Sequence, residues 1–103
     1  MSTTTAFAAV ASAPDDPFVF QEVELGPLGI RVNSIHPGVI DTSFNDIPEL
    51  EDIDWEGITK ALPLGRSGSP LEIARLAAFL CSSASSYSTG SEFVADGGIL
   101  AGP

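Results

Sequence analysis

The sequence predicts an α/β fold built on parallel strands, and it supplies only part of one. Three observations carry that prediction. Residues 30–35 form a β-branched run with apolar side chains on both faces, an amphipathic helix starts at Ser69-Pro70, and a second apolar run follows at residues 92–95. Strand, helix-bearing connection and strand make a βαβ crossover, so the two strands should run parallel with a right-handed connection. A parallel sheet needs helices on both faces and more than two strands to bury its residues. The chain therefore reads as a piece of a larger unit.

Residues 1–17 are rich in Ser, Thr and Ala, with Pro14 and Pro17 around Asp15-Asp16. This composition predicts a loose leader, over residues 1–20, with at most a frayed helical turn before Pro14. Apolar residues return at 18–25, and Glu24-Leu25-Gly26-Pro27-Leu28-Gly29 supplies a helix stop and a tight turn. In the strand that follows, Ile30 and Val32 share one face and Ile35 takes the other, which suits a strand covered on both sides. Pro37-Gly38 closes it.

Seven acids and no base lie between Asp41 and Glu56. Phe44, Ile47, Leu50 and Ile53 recur every three residues there, but Pro48 interrupts any continuous helix. A solvated, partly helical lid or loop is expected. The next helix is better specified. Ser69 and Glu72 form a capping-box pair around Pro70 at the first helical position, and Ile73, Leu76, Ala77 and Leu80 follow at helical spacing. Ala74, Ala78 and Cys81 add a second face of small side chains, which suits the close approach of another helix. The helix should span residues 70–81, before a polar stretch and the turn at Gly90. The strand Glu92 to Ala95 then ends at Asp96-Gly97-Gly98.

Composition excludes several function classes. With 103 residues there is room for one small domain. A net charge of -10 argues against nucleic acid or an anionic membrane surface as partner. Charged residues reach only 17%, which points to apolar surface covered by something outside this chain. One Cys, Cys81, excludes an internal disulfide, and one His, His36, leaves no basis for a metal site. No apolar run approaches the ~20 residues that span a bilayer, and the first base is Arg31, too late for a signal peptide. A soluble, cytoplasmic chain is expected.

Three segments together resemble the carboxyl-terminal part of a short-chain dehydrogenase/reductase. They are the run from Glu24-Leu25-Gly26 through Arg31-Val32-Asn33-Ser34-Ile35-His36-Pro37-Gly38 to Thr42, the helix start Leu64-Gly65-Arg66-Ser67-Gly68-Ser69-Pro70, and Ser86-Tyr87-Ser88-Thr89-Gly90 through Asp96-Gly97-Gly98. The resemblance covers residues 21–103 and is nearest to hydroxysteroid dehydrogenases and oxoacyl-carrier-protein reductases. It implies a doubly wound, Rossmann-like fold, here incomplete, with NAD or NADP at the carboxyl ends of the strands in the complete enzyme. The family motif at the nicotinamide end is matched by Pro37-Gly38-Val39-Ile40-Asp41-Thr42. By this likeness Pro37 and Gly38 turn the chain and allow close approach, Ile40 offers backbone groups to a carboxamide, and the Thr42 hydroxyl bonds that amide or a phosphate. The family's substrate lid corresponds to residues 44–62, where Phe44, Leu50 and Trp55 would line an apolar pocket. His36 has no catalytic counterpart in the family and is expected to be a satisfied strand-end side chain.

No catalytic residue is assigned. The family uses a Tyr acid/base with a Lys four residues later, placed on one helix face. Here the single Tyr87 is followed by Ser91 at that distance, and the single Lys is Lys60. Counting back from Glu24 puts Phe7 and Ala11 near the family's Tyr and Lys positions. The Gly-rich phosphate loop has no counterpart either, since Gly26, Gly29, Gly65 and Gly68 lack its spacing. Two readings follow: part of an oxidoreductase for a small apolar alcohol or ketone, inactive by itself, or a non-catalytic module that keeps the family's oligomer surface. In either, the resemblance implies a homo-oligomer through the helix at 70–81 and the strand at 92–96.

Overall fold

The computed structural model describes residues 6–10, 24–42 and 48–102. Three strands, β1 (Ala6–Val10), β2 (Arg31–Pro37) and β3 (Glu92–Ala95), form an all-parallel sheet in the order β1-β2-β3. β2 is the central strand, and its side chains are buried on both faces over residues 31–35. Val32 and Ile35 are buried, and so are Arg31, Asn33 and Ser34 between and beside them. Phe7 pairs with Val32 and Val10 with Ile35 on one side, while Ile35 pairs with Phe93 and Pro37 with Ala95 on the other.

β1 corrects the sequence reading. Residues 6–10 were expected in a loose leader, and the chain was expected to supply two strands; the structure has a third there. Ala-Phe-Ala-Ala-Val has weak strand propensity, so its extended form comes from the backbone bonds that β2 offers. Phe7 consequently lies in a strand and not on a helix that would stand in for the family's catalytic one. Ala11 lies outside the described residues, as does the rest of the leader.

Two helices fill the β2–β3 crossover. The first, α1 (Trp55–Lys60), is capped by Asp54, whose Oδ1 accepts from the Gly57 N–H at 3.0 Å. The second, α2 (Pro70–Leu80), carries the capping box anticipated from Ser69 and Glu72, with both reciprocal bonds formed. α2 packs on β1 and β2, and Leu80 is fully buried. Ile73, Leu76 and Ala77 turn inward with it, while Ala74, Ala78 and Cys81 stay exposed on the other face. The acidic stretch is not one helix: a 3₁₀ turn at Pro48–Leu50 and α1 break it, and Phe44 and Ile47 lie outside the described residues.

The core is held by polar groups as much as by apolar ones. Arg31 is 8% exposed, and its Nη1 donates to the Ser85 carbonyl (2.7 Å), Ser85 Oγ (3.0 Å) and the Ser88 carbonyl (3.2 Å). Its Nη2 donates to the carbonyls of Leu80 (3.3 Å) and Ser82 (3.0 Å). Leu80 is the last residue of α2, so a cation sits at the negative end of the helix dipole and, with Ser85 Oγ, satisfies that terminal carbonyl. Asn33, 0% exposed, donates to the Ser88 carbonyl at 2.9 Å and accepts from the Ser91 N–H at 3.1 Å. Together they fix the loop that delivers β3 to the sheet.

Candidate functional site

Three segments converge at the carboxyl ends of β2 and β3: residues 37–42, 62–68 and 95–98. Backbone bonds tie them. The Gly38 N–H donates to the Ala95 carbonyl (3.0 Å), the Leu64 N–H to Gly97 (3.1 Å), and Gly68 bonds Val39 and Asp41 on its two sides (2.9 and 2.8 Å). A Cβ at Gly38 would stand 2.7 Å from Asp96 Cα, so the close approach this glycine permits is to its own chain. Gly98 is equally constrained: its φ is +100°, and a Cβ there would lie 2.6 Å from Pro63 Cγ. Asp96 accepts from the N–H groups of Gly98 (2.8 Å) and Leu100 (3.1 Å), which fixes the turn after β3.

Pro37 ends β2, and Ile40 forms an isolated parallel bridge with Gly68. In such a bridge the bonds run to residues 39 and 41, so the N–H and C=O of Ile40 itself point to the side away from Gly68. Thr42 is exposed just beyond. Pro37 and Gly38 shape the turn behind this edge.

A cleft of about 450 Å³ lies beside this edge, lined among others by Val39, Ile40, Arg66, Ile73, Val94 and Asp96. Pro37, Gly38 and Thr42 are not in its wall, nor are the expected lid residues Leu50 and Trp55. Leu50 and Trp55 are half-buried, and Phe44 lies outside the described residues. The Trp55 indole Nε1 is buried without a hydrogen-bond partner. His36 is satisfied, as expected, by Ser34 Oγ at 2.8 Å from its Nε2.

Arg66 faces Glu72 at the cleft rim with both ends of its guanidinium, Nη1 to Oε1 at 2.8 Å and Nη2 to Oε2 at 3.0 Å. The Arg66 hydrogen bonds, joined by the Ser69 N–H, hold the Glu72 carboxyl well below its usual range, at about 2. The same contact raises the Arg66 pKa. Among the described residues no group of His, Cys, Asp or Glu is placed to hold a metal ion, and no helix is long and apolar enough to cross a membrane. Sequence reasoning assigned no role to Arg31, Asn33 or the Arg66–Glu72 pair. A lone Arg inside a strand apolar on both faces was the one available signal, because a buried charge needs several acceptors.

The family model described as "Enoyl-(Acyl carrier protein) reductase" matches residues 22–100. A 3-alpha-(or 20-beta)-hydroxysteroid dehydrogenase of Mycobacterium tuberculosis is 52% identical over 81 residues, covering 78% of this chain and 28% of that protein. The crystal structure of a short-chain type dehydrogenase/reductase from Mycobacterium marinum superimposes with a TM-score of 0.71 at 33% identity, over 92% of this chain and 43% of that one. An NADPH-bound short chain oxidoreductase from Pseudomonas aeruginosa PAO1, with an atypical catalytic center, gives 0.64 at 36% identity, over 80% of this chain and 34% of that one. The chain thus spans less than a third of the length of the hydroxysteroid relative it matches.

Proposed function

The chain belongs to the short-chain dehydrogenase/reductase family, and from that membership we propose that it supplies the carboxyl-terminal, nicotinamide-facing part of an NAD(P)-dependent alcohol/ketone oxidoreductase. The observation that carries the reading is the bridge between Ile40 and Gly68, which turns the Ile40 backbone groups outward beside Thr42. Ile40 and Thr42 would hold the carboxamide, with Pro37 and Gly38 setting the turn. When bound, the nicotinamide supplies hydride chemistry. What this chain's own residues contribute is orientation, since no Tyr-x-x-x-Lys pair exists in it to move the proton.

The substrate class follows from charge. Acids between Asp41 and Glu56 would repel an acidic carrier protein, which favours a small or steroid-like apolar alcohol or ketone. The likeness to a hydroxysteroid dehydrogenase supports the same class. The test joins residues 22–103 to the amino-terminal part of the Mycobacterium tuberculosis relative. The chimera should oxidise or reduce a free steroid alcohol or ketone, and Thr42→Val should raise KM for the cofactor. The 103-residue chain should show no turnover, because the missing acid/base pair alone contributes roughly 10²–10⁴-fold. Turnover by that chain, preference for carrier-bound substrates, or a chimera indifferent to Thr42→Val would overturn the reading.

A second reading, a non-catalytic interaction module, is favoured by one observation: Leu71, Phe79 and Val94 are exposed on α2 and β3. A stable oligomer that ignores NAD(H), with an inactive chimera, would establish it instead.

A further inference from the structure

We infer that Arg66 and Glu72 are a positioning pair for residues 39–42, acting through Gly68. The inference rests on reading that segment as nicotinamide-facing. Glu72 is anchored on α2, where its Oε1 also accepts from the Ser69 N–H at 3.0 Å. Arg66 grips the same carboxylate with two bonds and reaches the Ser67 carbonyl at 3.1 Å. Residues 66–69 are thereby clamped to the first turn of α2. Gly68, in the middle of that clamped stretch, donates to Val39 and accepts from Asp41. It holds the candidate segment from behind, and a Cβ at Gly68 would press to 2.9 Å from Ile40 Cδ1. The helix is thus joined to residues 39 and 41, on either side of Ile40, through the Arg66–Glu72 bonds, the chain at 67–69 and the two backbone bonds of Gly68.

Exposed ion pairs ordinarily contribute little; bidentate geometry within a network is the exception. The Lys60–Glu56 pair, a single 2.8 Å contact on α1, is the ordinary kind and serves as control. The experiment is amide hydrogen exchange on the 103-residue chain. Arg66→Ala leaves the capping box whole, so α2 keeps its start. It should speed exchange at Gly68 and Asp41 about fivefold. Exchange at Ser34, bonded to Ser91, and at Cys81, bonded to Ala77, should not change. Arg66→Lys, with charge but no fork, should fall between, and Lys60→Ala should do nothing. Equal acceleration at all four amides, no change at Gly68 and Asp41, or no protection there in the parent chain would overturn the proposal. In the chimera described above, Arg66→Ala should raise KM for whichever of NADH and NADPH the parent chimera uses, with kcat held. An unchanged KM beside a changed exchange rate would overturn the positioning role. A parent chimera without turnover on either NADH or NADPH would overturn the functional reading instead.

Discussion

Arg31 carries a full charge into the middle of the sheet, and among the described residues it meets five oxygens and no carboxylate. Its partners are the Ser85 hydroxyl and four carbonyls, two of which, Ser82 and Ser85, also take a backbone N–H, while Leu80 takes the Ser85 hydroxyl and Ser88 the Asn33 amide. Removing the guanidinium would take away five charge-assisted bonds at once in a buried site and leave each acceptor one donor short. Arg31→Met should therefore destabilise the chain by about 3 kcal/mol, read by urea unfolding. A loss near zero would mean that the donors remaining on these carbonyls, with water, suffice without the guanidinium. The strand pattern around Arg31 could be read from sequence; the destination of its side chain could not, because residues 80–88 lie some fifty positions away.

The helix α2 was legible in full from local chemistry: Ser69 as cap, Pro70 at the first position, Glu72 three residues on, and apolar residues at helical spacing. The structure adds the Arg66 grip on Glu72, and with it a pH dependence. The folded carboxyl titrates at about 2, below its ordinary 4.5, so the folded state binds its proton less readily than the unfolded chain does. Its stabilising contribution is complete above about pH 4.5 and is lost as pH falls toward 2. Thermal melts of the parent chain and Glu72→Gln should differ at pH 7 and converge near pH 2. A constant gap across that window would assign the effect to the neutral hydrogen bonds. The element that sequence missed is β1, whose Ala-rich run has no strand signal of its own.

At the scale of the whole molecule, the sheet and its helices leave apolar surface unburied. Leu71 and Phe79 on α2, Val94 on β3, and Leu64 at the cleft are all exposed, and so are the small residues Ala74, Ala78 and Cys81. Such a surface drives association, so the chain should sediment as an oligomer at low micromolar concentration. Ala78→Glu should weaken that association if the small-residue face is the contact. A cooperative monomer indifferent to the substitution would show that β1 and the crossover close the core unaided.

The sequence by itself determined β2, α2, β3, their parallel order and the family, because capping, periodicity and turn residues act over a few neighbours and are written locally. It also determined that no Tyr-x-x-x-Lys pair is present. Only the tertiary structure decided the rest. β1 exists because β2 offers it a ladder, and Gly38 is needed because Asp96 lies against it. Arg31 is tolerated because the end of α2 supplies its acceptors, and Ile40 faces outward because Gly68 takes the bonds on either side of it. Each depends on groups brought together by folding from distant parts of the chain, and no local pattern records such a meeting.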